Sequence, residues 1–258
     1  MALRRSKARE AKKAPDEMSL LEHLGELRRR VIISVLAVAV GAVVGYGFYH
    51  IILAFFLHPL CLTEGTQHCS LYVTGPLDGF TWRLKIAGYA GIFLASPVVL
   101  YQVWKFIAPG LKAGEKRYAV PFVTISLLLF LSGAYTAYLV FPKALSFLQG
   151  AAGSQVHPLY TPQSYLGFII VLMVAFGAAF EFPVILISLE LLRVVTPKKL
   201  ASWRRWAIVL IFLAGAIFIP SSDPYSLFAL AIPLTIFYEL SILVGRLLLR
   251  GKRTTEVD

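Results

Sequence analysis

Residues 19–53 read SLLEHLGELRRRVIISVLAVAVGAVVGYGFYHIIL. A polar segment at 19–30, called the lead here, is followed by a long apolar run from Val31. Ser19 suits a helix N-cap, and Glu22 three residues later completes a capping box. Apolar side chains then recur at helical spacing, while Glu26 and Arg30 stand four residues apart on the opposite side. The lead therefore predicts a short amphipathic helix that runs into a membrane span and holds a carboxylate at the membrane surface.

The composition of the chain is that of a membrane protein. Of its 258 residues, 58% are hydrophobic and 15% are charged, and the mean hydropathy is +0.73. A soluble domain carries about 25% charged residues. Because several apolar runs also approach the ~20 residues that a helix needs to cross a bilayer, we expect an all-α polytopic membrane protein.

Six apolar runs predict six transmembrane helices. The fifth has only 14 residues, about 21 Å at ~1.5 Å per residue, which is short of the ~30 Å hydrocarbon core. Pro59 is expected to open the first outer loop, and Pro142 is expected to end the third span. The predicted spans are 31–53, 86–104, 118–141, 165–192, 206–219 and 225–244.

Positive charge alternates along the chain. The net charge is +11, and 22 of the 25 Lys and Arg residues fall in segments 1–30, 105–117, 193–205 and 246–258. This alternation predicts that both termini are cytoplasmic and that the number of spans is even. The basic charge thus reflects topology, with acidic lipid headgroups as its bulk partner, and does not indicate nucleic-acid binding.

The same charges divide the chain into a basic cytoplasmic tail (1–17), a membrane domain (18–245) and a cytoplasmic C-terminal tail (246–258). Residues 1–17 do not read as the start of a signal peptide. The apolar run that follows them is too long, and no clear small-residue cleavage site comes after it.

The two cysteines, Cys61 and Cys69, both lie in the first charge-poor loop. On the predicted topology this loop faces outward, where disulfides persist. A small loop-closing bridge is therefore favoured over two free thiols. A metal site is disfavoured, because His58 and His68 nearby make no zinc-binding spacing.

Carboxylates inside predicted spans are informative, because an ionised group at mid-bilayer costs at least ~2.5–3.5 kcal/mol. Glu181, near the middle of span four, is interpreted as a polar contact for a partner helix or a polar substrate. The alternative is a hydrogen bond between helices of this chain. Glu190 and Glu239 lie nearer the basic surface, where we expect pairing with Arg or Lys.

Glu26 and Glu115 are the strongest candidates for a binding function, because each is predicted to be cytoplasmic, is surrounded by basic residues and is not needed to cap a helix. Glu26 could instead be engaged by Arg30, and Glu115 could be an ordinary solvated residue. Asp223 follows a turn that begins at Pro220 and precedes a helix, so N-capping explains it.

Catalytic signatures are absent from the sequence: it has no nucleophile elbow, no zinc-protease motif and no phosphate-cradling loop. An enzyme is therefore disfavoured, and no cofactor is expected.

Several motifs resemble the TatC family, the multispanning subunit of the twin-arginine protein translocase. HLGELR at 23–28 is similar to the family's opening motif, and SPVVLYQVWKFIAPGL at 96–111 is similar to its second span and first cytoplasmic loop. EKR at 115–117, and FG at 176–177 with FEFPV at 180–184, match further family positions. The resemblance covers about residues 18–245.

The resemblance implies a concave, glove-like fold of six helices with short fifth and sixth helices. It implies a receptor in the inner membrane that binds the twin-arginine signal peptides of folded precursors and is driven by the proton-motive force. Signal recognition would involve Glu26 and Glu115 with Phe106 beside them, together with the motif residues His23 and Arg28.

The resemblance also implies partners. Single-span TatA- and TatB-type subunits would dock near Glu181, with Glu239 as a further intramembrane polar contact, and the chain would form homo-oligomers within the receptor complex. The sequence departs from the family at Pro220–Asp223, where PSSD replaces a frequent Pro-Pro-Asp pattern. The alternative function is a proton-coupled small-solute transporter that uses Glu181 and Glu239.

Overall fold

The computed structural model describes residues 20–64, 70–107, 119–153, 159–219 and 223–250, and these form an all-helical protein. The helices of this described part are α1 (Leu20–Gly47), α2 (Tyr49–Glu64), α3 (Asp78–Ile107), α4 (Ala119–Ala152), α5 (Pro162–Phe180), α6 (Phe182–Leu191), α7 (Pro197–Ser202), α8 (Arg204–Phe218) and α9 (Pro224–Arg250). Among them, α1, α3, α4, α5 with α6, and α9 are long and apolar enough to cross a membrane.

The first predicted span is two helices, because the chain breaks at Phe48 between α1 and α2. The expectation that an outer loop begins at Pro59 was wrong, since α2 continues through this proline to Glu64. Proline cannot donate the bond that the Phe55 carbonyl would normally accept. The Tyr138 hydroxyl of α4 donates to that carbonyl instead, at 3.1 Å, so packing between helices replaces the missing bond.

The third span also passes a proline. Pro142 was expected to end it, but α4 continues for ten further residues to Ala152. Phe141 and Leu145, on either side of the proline, are 0% and 5% exposed. Their burial in the core offsets the hydrogen bond that the proline removes.

The fourth span is interrupted at Glu181, which separates α5 from α6. Pro183 explains the interruption, because it stands in the first turn of α6, where a missing N–H costs little. The short fifth span is confirmed as α8, with 15 residues. The sixth helix is longer than expected, since α9 has 27 residues.

Close packing of α1 on α3 brings two of the longest helices together. A β-carbon added at Gly41 would lie 2.9 Å from the Gly91 carbonyl oxygen, and one added at Gly45 would lie 3.2 Å from the Ala87 carbonyl oxygen. The pairing is antiparallel, because higher residue numbers on α1 meet lower ones on α3. The start of α1 therefore lies at the same membrane level as the end of α3.

Candidate functional site

Glu26 lies in the second turn of α1, just inside the candidate span that begins at Leu24. Its Oε1 atom accepts a hydrogen bond from the Arg30 guanidinium one turn later, as the four-residue spacing allowed. Arg30 is 8% exposed. Glu26 Oε2 is buried and has no hydrogen-bond partner among the described residues. One carboxylate oxygen is thus held in place and the other remains available as an acceptor.

Phe106 stands next to the end of α3, and its side chain is half-buried. The antiparallel register of α1 and α3 brings this end of α3 to the level of Glu26. Nearby, the Trp104 ring packs on Phe122 of α4 with 4.3 Å between ring centroids, which anchors this end of α3. The structure thus places Glu26 and Phe106 at the same end of two packed helices.

The remaining members of the predicted signal-binding set are only partly described. Arg28 is exposed on α1. Glu115 and the side chain of His23 lie outside the described residues, so the approach of Glu115 to Glu26 stays a prediction.

Glu181 lies at the break between α5 and α6, near Ser126 of α4. One of its carboxylate oxygens, Oε1, is buried and has no hydrogen-bond partner in the described chain. The alternative that we considered, a hydrogen bond between helices of this chain, is therefore not made by Oε1 within the described residues. The sequence did not single out Ser126, because a serine in an apolar span gives no signal of its partner.

Glu239 on α9 forms an ion pair with Arg204 at the start of α8, with 2.8 Å between Arg204 Nη2 and Glu239 Oε2. Both side chains are about half exposed. The expectation that Glu239 pairs with a basic residue is confirmed. Its partner comes from the adjacent short helix.

Glu190, unlike Glu239, forms no ion pair with a described residue. It is 1% exposed, and neither of its carboxylate oxygens has a hydrogen-bond partner among the described residues. The expected pairing with Arg or Lys was wrong here, because the side chain points between α6 and α9, where its carboxylate contacts Gly245.

Asp223 caps α9 by accepting a hydrogen bond from the Ser226 backbone N–H at 2.7 Å, and it is 0% exposed. The expected N-cap is present, while Pro220 lies outside the described residues.

Cys61 on α2 is disulfide-bonded. Cys69 lies outside the described residues, so its pairing with Cys61 stays a prediction. Within the described ranges, no group of three or more His, Cys, Asp or Glu residues could hold a metal ion.

Comparison with known proteins identifies the family of this chain. A model of the family described as Sec-independent protein translocase protein (TatC) matches residues 22–233. The TatC protein of Aquifex aeolicus is 39% identical over 239 residues, which cover 92% of this chain and 98% of the relative. The TatC protein of Frankia casuarinae is 39% identical over 238 residues, but the match covers 88% of this chain and only 65% of that longer relative.

A crystal structure of a twin-arginine translocase receptor, TatC, superimposes with a TM-score of 0.72 at 39% sequence identity. The match covers 88% of this chain and 99% of the crystallised chain. This likeness confirms the predicted all-α polytopic fold of six spanning helices in a glove-like arrangement. The sequence and structural matches together show that the chain belongs to the TatC family of Sec-independent protein translocase proteins.

Proposed function

We propose that this chain is the receptor and core subunit of a twin-arginine translocase that exports folded proteins. In this function it binds signal peptides, uses the proton-motive force and performs no covalent chemistry. Family membership supports the proposal. The structural observation that carries it is the Glu26 carboxylate, which is fixed by Arg30 through one oxygen and has an unpartnered second oxygen.

The paired arginines of a signal peptide require carboxylates, because a guanidinium binds a carboxylate bidentately and keeps its charge. Glu26 supplies one such group, and Glu115 supplies the second from the segment that follows α3. Phe106 offers an apolar surface at the same level. His23 and Arg28 complete the set as neighbours on α1.

The ion pair between Glu26 and Arg30 also determines how a signal arginine can bind. The Glu26–Arg30 ion pair is partly buried, and removing one member of such a pair leaves the other charge uncompensated, which is unfavourable. An incoming guanidinium that adds to the Glu26–Arg30 pair avoids this cost. The signal arginine therefore binds Glu26 without displacing Arg30.

Single-span TatA- and TatB-type subunits dock beside Glu181 in this proposal. The Oε1 atom of Glu181 has no hydrogen-bond partner among the described residues, so a polar group from a partner helix that reached it would satisfy it. The chain itself assembles into homo-oligomers within the receptor complex. Glu239 contributes less directly to partner docking, because it already forms an ion pair with Arg204.

The protein lies in the inner membrane with both termini in the cytoplasm, as the alternation of positive charge indicates. Residues 1–17 and 246–258 are cytoplasmic tails that flank the membrane domain at 18–245. The alternative of a small-solute transporter has no support, since each relative named above is a translocase protein.

Export of a folded reporter behind a twin-arginine signal tests the recognition site. Cells that carry this protein as their only receptor should lose export with the double variant Glu26→Ala, Glu115→Ala. Each single variant should weaken binding of a synthetic signal peptide at least about tenfold, as expected for a lost charge-assisted pair. The purified protein and the peptide give this affinity directly.

Glu17→Ala is the matched control, because it removes a carboxylate from the same basic region outside the family motif. It should leave export and peptide affinity unchanged. Wild-type export by the double variant would refute the recognition site. Replacing the two signal arginines by lysine should weaken binding to the wild-type protein but not to the double variant.

A further inference from the structure

Glu190 is a buried acidic residue that the receptor function does not use. It lies on α6, is 1% exposed, and packs its carboxyl group against Gly245 of α9. Neither carboxylate oxygen has a hydrogen-bond partner among the described residues. Glu190 is therefore more deeply buried than Glu26 or Glu239, and it lacks the arginine partner that each of those residues has.

No basic residue of the described chain compensates a charge on Glu190. On α9, the Tyr238 hydroxyl near Glu190 donates instead to the Leu200 carbonyl, at 2.7 Å. On α5, the Tyr165 hydroxyl donates to the Phe56 carbonyl at 2.9 Å. Arg204 is engaged by Glu239. The other basic residues on the segments after α6 and on α9 form no ion pair with Glu190, namely Arg193, Lys198, Lys199 and Arg246.

The burial of Glu190 decides the charge of its carboxyl group. An ionised carboxylate that is buried without a partner costs far more free energy than a neutral carboxyl group in the same place, so such a group takes up a proton instead. Glu190 therefore carries a proton while α6 and α9 are packed together.

The position of Glu190 shows where this proton can go. Glu190 is one residue before Leu191, at which both α6 and the candidate span end. The basic segment 193–205 follows directly and lies in the cytoplasm in the topology proposed above. The proton of Glu190 therefore exchanges with cytoplasmic water.

The contact with Gly245 couples this proton to the packing of two helices. The Glu190 carboxyl group occupies the space that a side chain at residue 245 would take, so it meets water only when α6 and α9 separate. In water the carboxyl group releases its proton and becomes a carboxylate, which cannot be reburied without a partner. The packed state thus binds one proton more than the separated state.

We propose that Glu190 is a proton-binding site that fastens α6 to α9 when it is protonated. A rise in cytoplasmic pH loosens this contact, and a fall in cytoplasmic pH tightens it. The side of the membrane that receives the proton rests on the proposed topology, whereas proton binding itself does not. The site is separate from Glu26 and from signal-peptide binding.

Infrared spectroscopy of the full-length protein in lipid vesicles tests the protonation. At neutral pH, the difference spectrum between the wild type and Glu190→Gln should contain the carbonyl band of a protonated carboxyl group. Gly245→Ala keeps Glu190 but fills its space, so it should lose the same band. Absence of the band from the wild type, or its persistence in Gly245→Ala, would overturn the proposal.

The pH dependence of thermal unfolding tests the coupling. The packed protein holds a proton that the unfolded chain releases above about pH 5, so its stability falls as the pH rises. One proton corresponds to about 2–4 °C in the unfolding midpoint per pH unit for a protein of this size. Glu190→Gln should lose this part of the slope.

Glu17→Gln is the matched control, because it removes a carboxyl group from the basic tail outside the membrane domain. It should keep the slope of the wild type, and equal slopes in the wild type and Glu190→Gln would contradict the coupling. Signal-peptide affinity should be unchanged in Glu190→Gln. This measurement separates a failure of the proton site from a failure of the receptor function.

Discussion

The Glu190 carboxyl group on α6 contacts the backbone of Gly245 on α9, in the space that a side chain at residue 245 would occupy. Glu190 is 1% exposed, so it has little room to move. Neither oxygen has a hydrogen-bond partner among the described residues. This contact between α6 and α9 is therefore a fit of shape, in which a glycine accommodates a large side chain.

Gly245→Ala should lower the stability of the protein. The added methyl group overlaps the Glu190 carboxyl group, which must leave its buried position or push α6 away from α9. Overpacking of this kind costs about 1–3 kcal/mol. Thermal unfolding of the detergent-solubilised protein should show the loss as a lower midpoint.

Gly150→Ala is the control for this variant, since nothing lies within 4 Å of a β-carbon at Gly150. Its midpoint should not fall. The double variant Glu190→Ala, Gly245→Ala should be more stable than the sum of the single effects predicts, with a coupling of about 0.5–3 kcal/mol. Additive effects would show that the two residues do not share this space.

The sequence was sufficient to predict the spans and one of the ion pairs. Hydropathy defined the membrane helices, and the 14-residue fifth run gave the short α8. Glu26 and Arg30 stand four residues apart on α1, a spacing that allows the ion pair that they form. Such features depend on composition and on neighbours within a few residues.

Features that depend on distant residues could not be predicted. Pro59 stops no helix, because Tyr138, far along the chain, donates to the carbonyl that the proline leaves free. Glu190 and Glu239 look alike in sequence, yet one packs on a glycine and the other meets an arginine. Only the packing of α6, α8 and α9 distinguishes them.

Asp223→Ala should destabilise α9. The Asp223 side chain accepts the Ser226 N–H at 2.7 Å, and its burial excludes water as a substitute. Loss of an N-cap costs about 1–2 kcal/mol. Asp223→Asn keeps an acceptor oxygen and should retain most of the stability in thermal unfolding, whereas equal losses in both variants would point to a role for the negative charge.

Cys61 and Cys69 should resist a membrane-impermeant thiol reagent on intact cells until a reductant is added, because we expect them to form a bridge on the outer side. A Cys61→Ser variant should expose Cys69 to the reagent without reductant. Full labelling of the wild-type protein before reduction would contradict the bridge. Labelling after reduction also reports that this loop faces outward.

Gly91→Ala should disrupt both the fold and signal recognition. A β-carbon at Gly91 would lie 2.7 Å from the backbone nitrogen of Ala42, and backbone atoms cannot move aside as a side-chain end can. The substitution therefore forces α1 away from α3, at a cost near the upper end of the ~1–3 kcal/mol for overpacking. Because Glu26 and Phe106 lie on these two helices, signal-peptide affinity should fall together with the unfolding midpoint.

Gly88→Ala, on the same helix, separates this steric effect from a general effect of alanine. Nothing lies within 4 Å of a β-carbon at Gly88, and replacing a mid-helix glycine by alanine stabilises a helix by about 0.5–1 kcal/mol. This control should keep its peptide affinity and unfold at an equal or higher temperature. Normal affinity in Gly91→Ala would show that recognition does not require the close contact of α1 with α3, and would leave Glu26 as an independent site on α1.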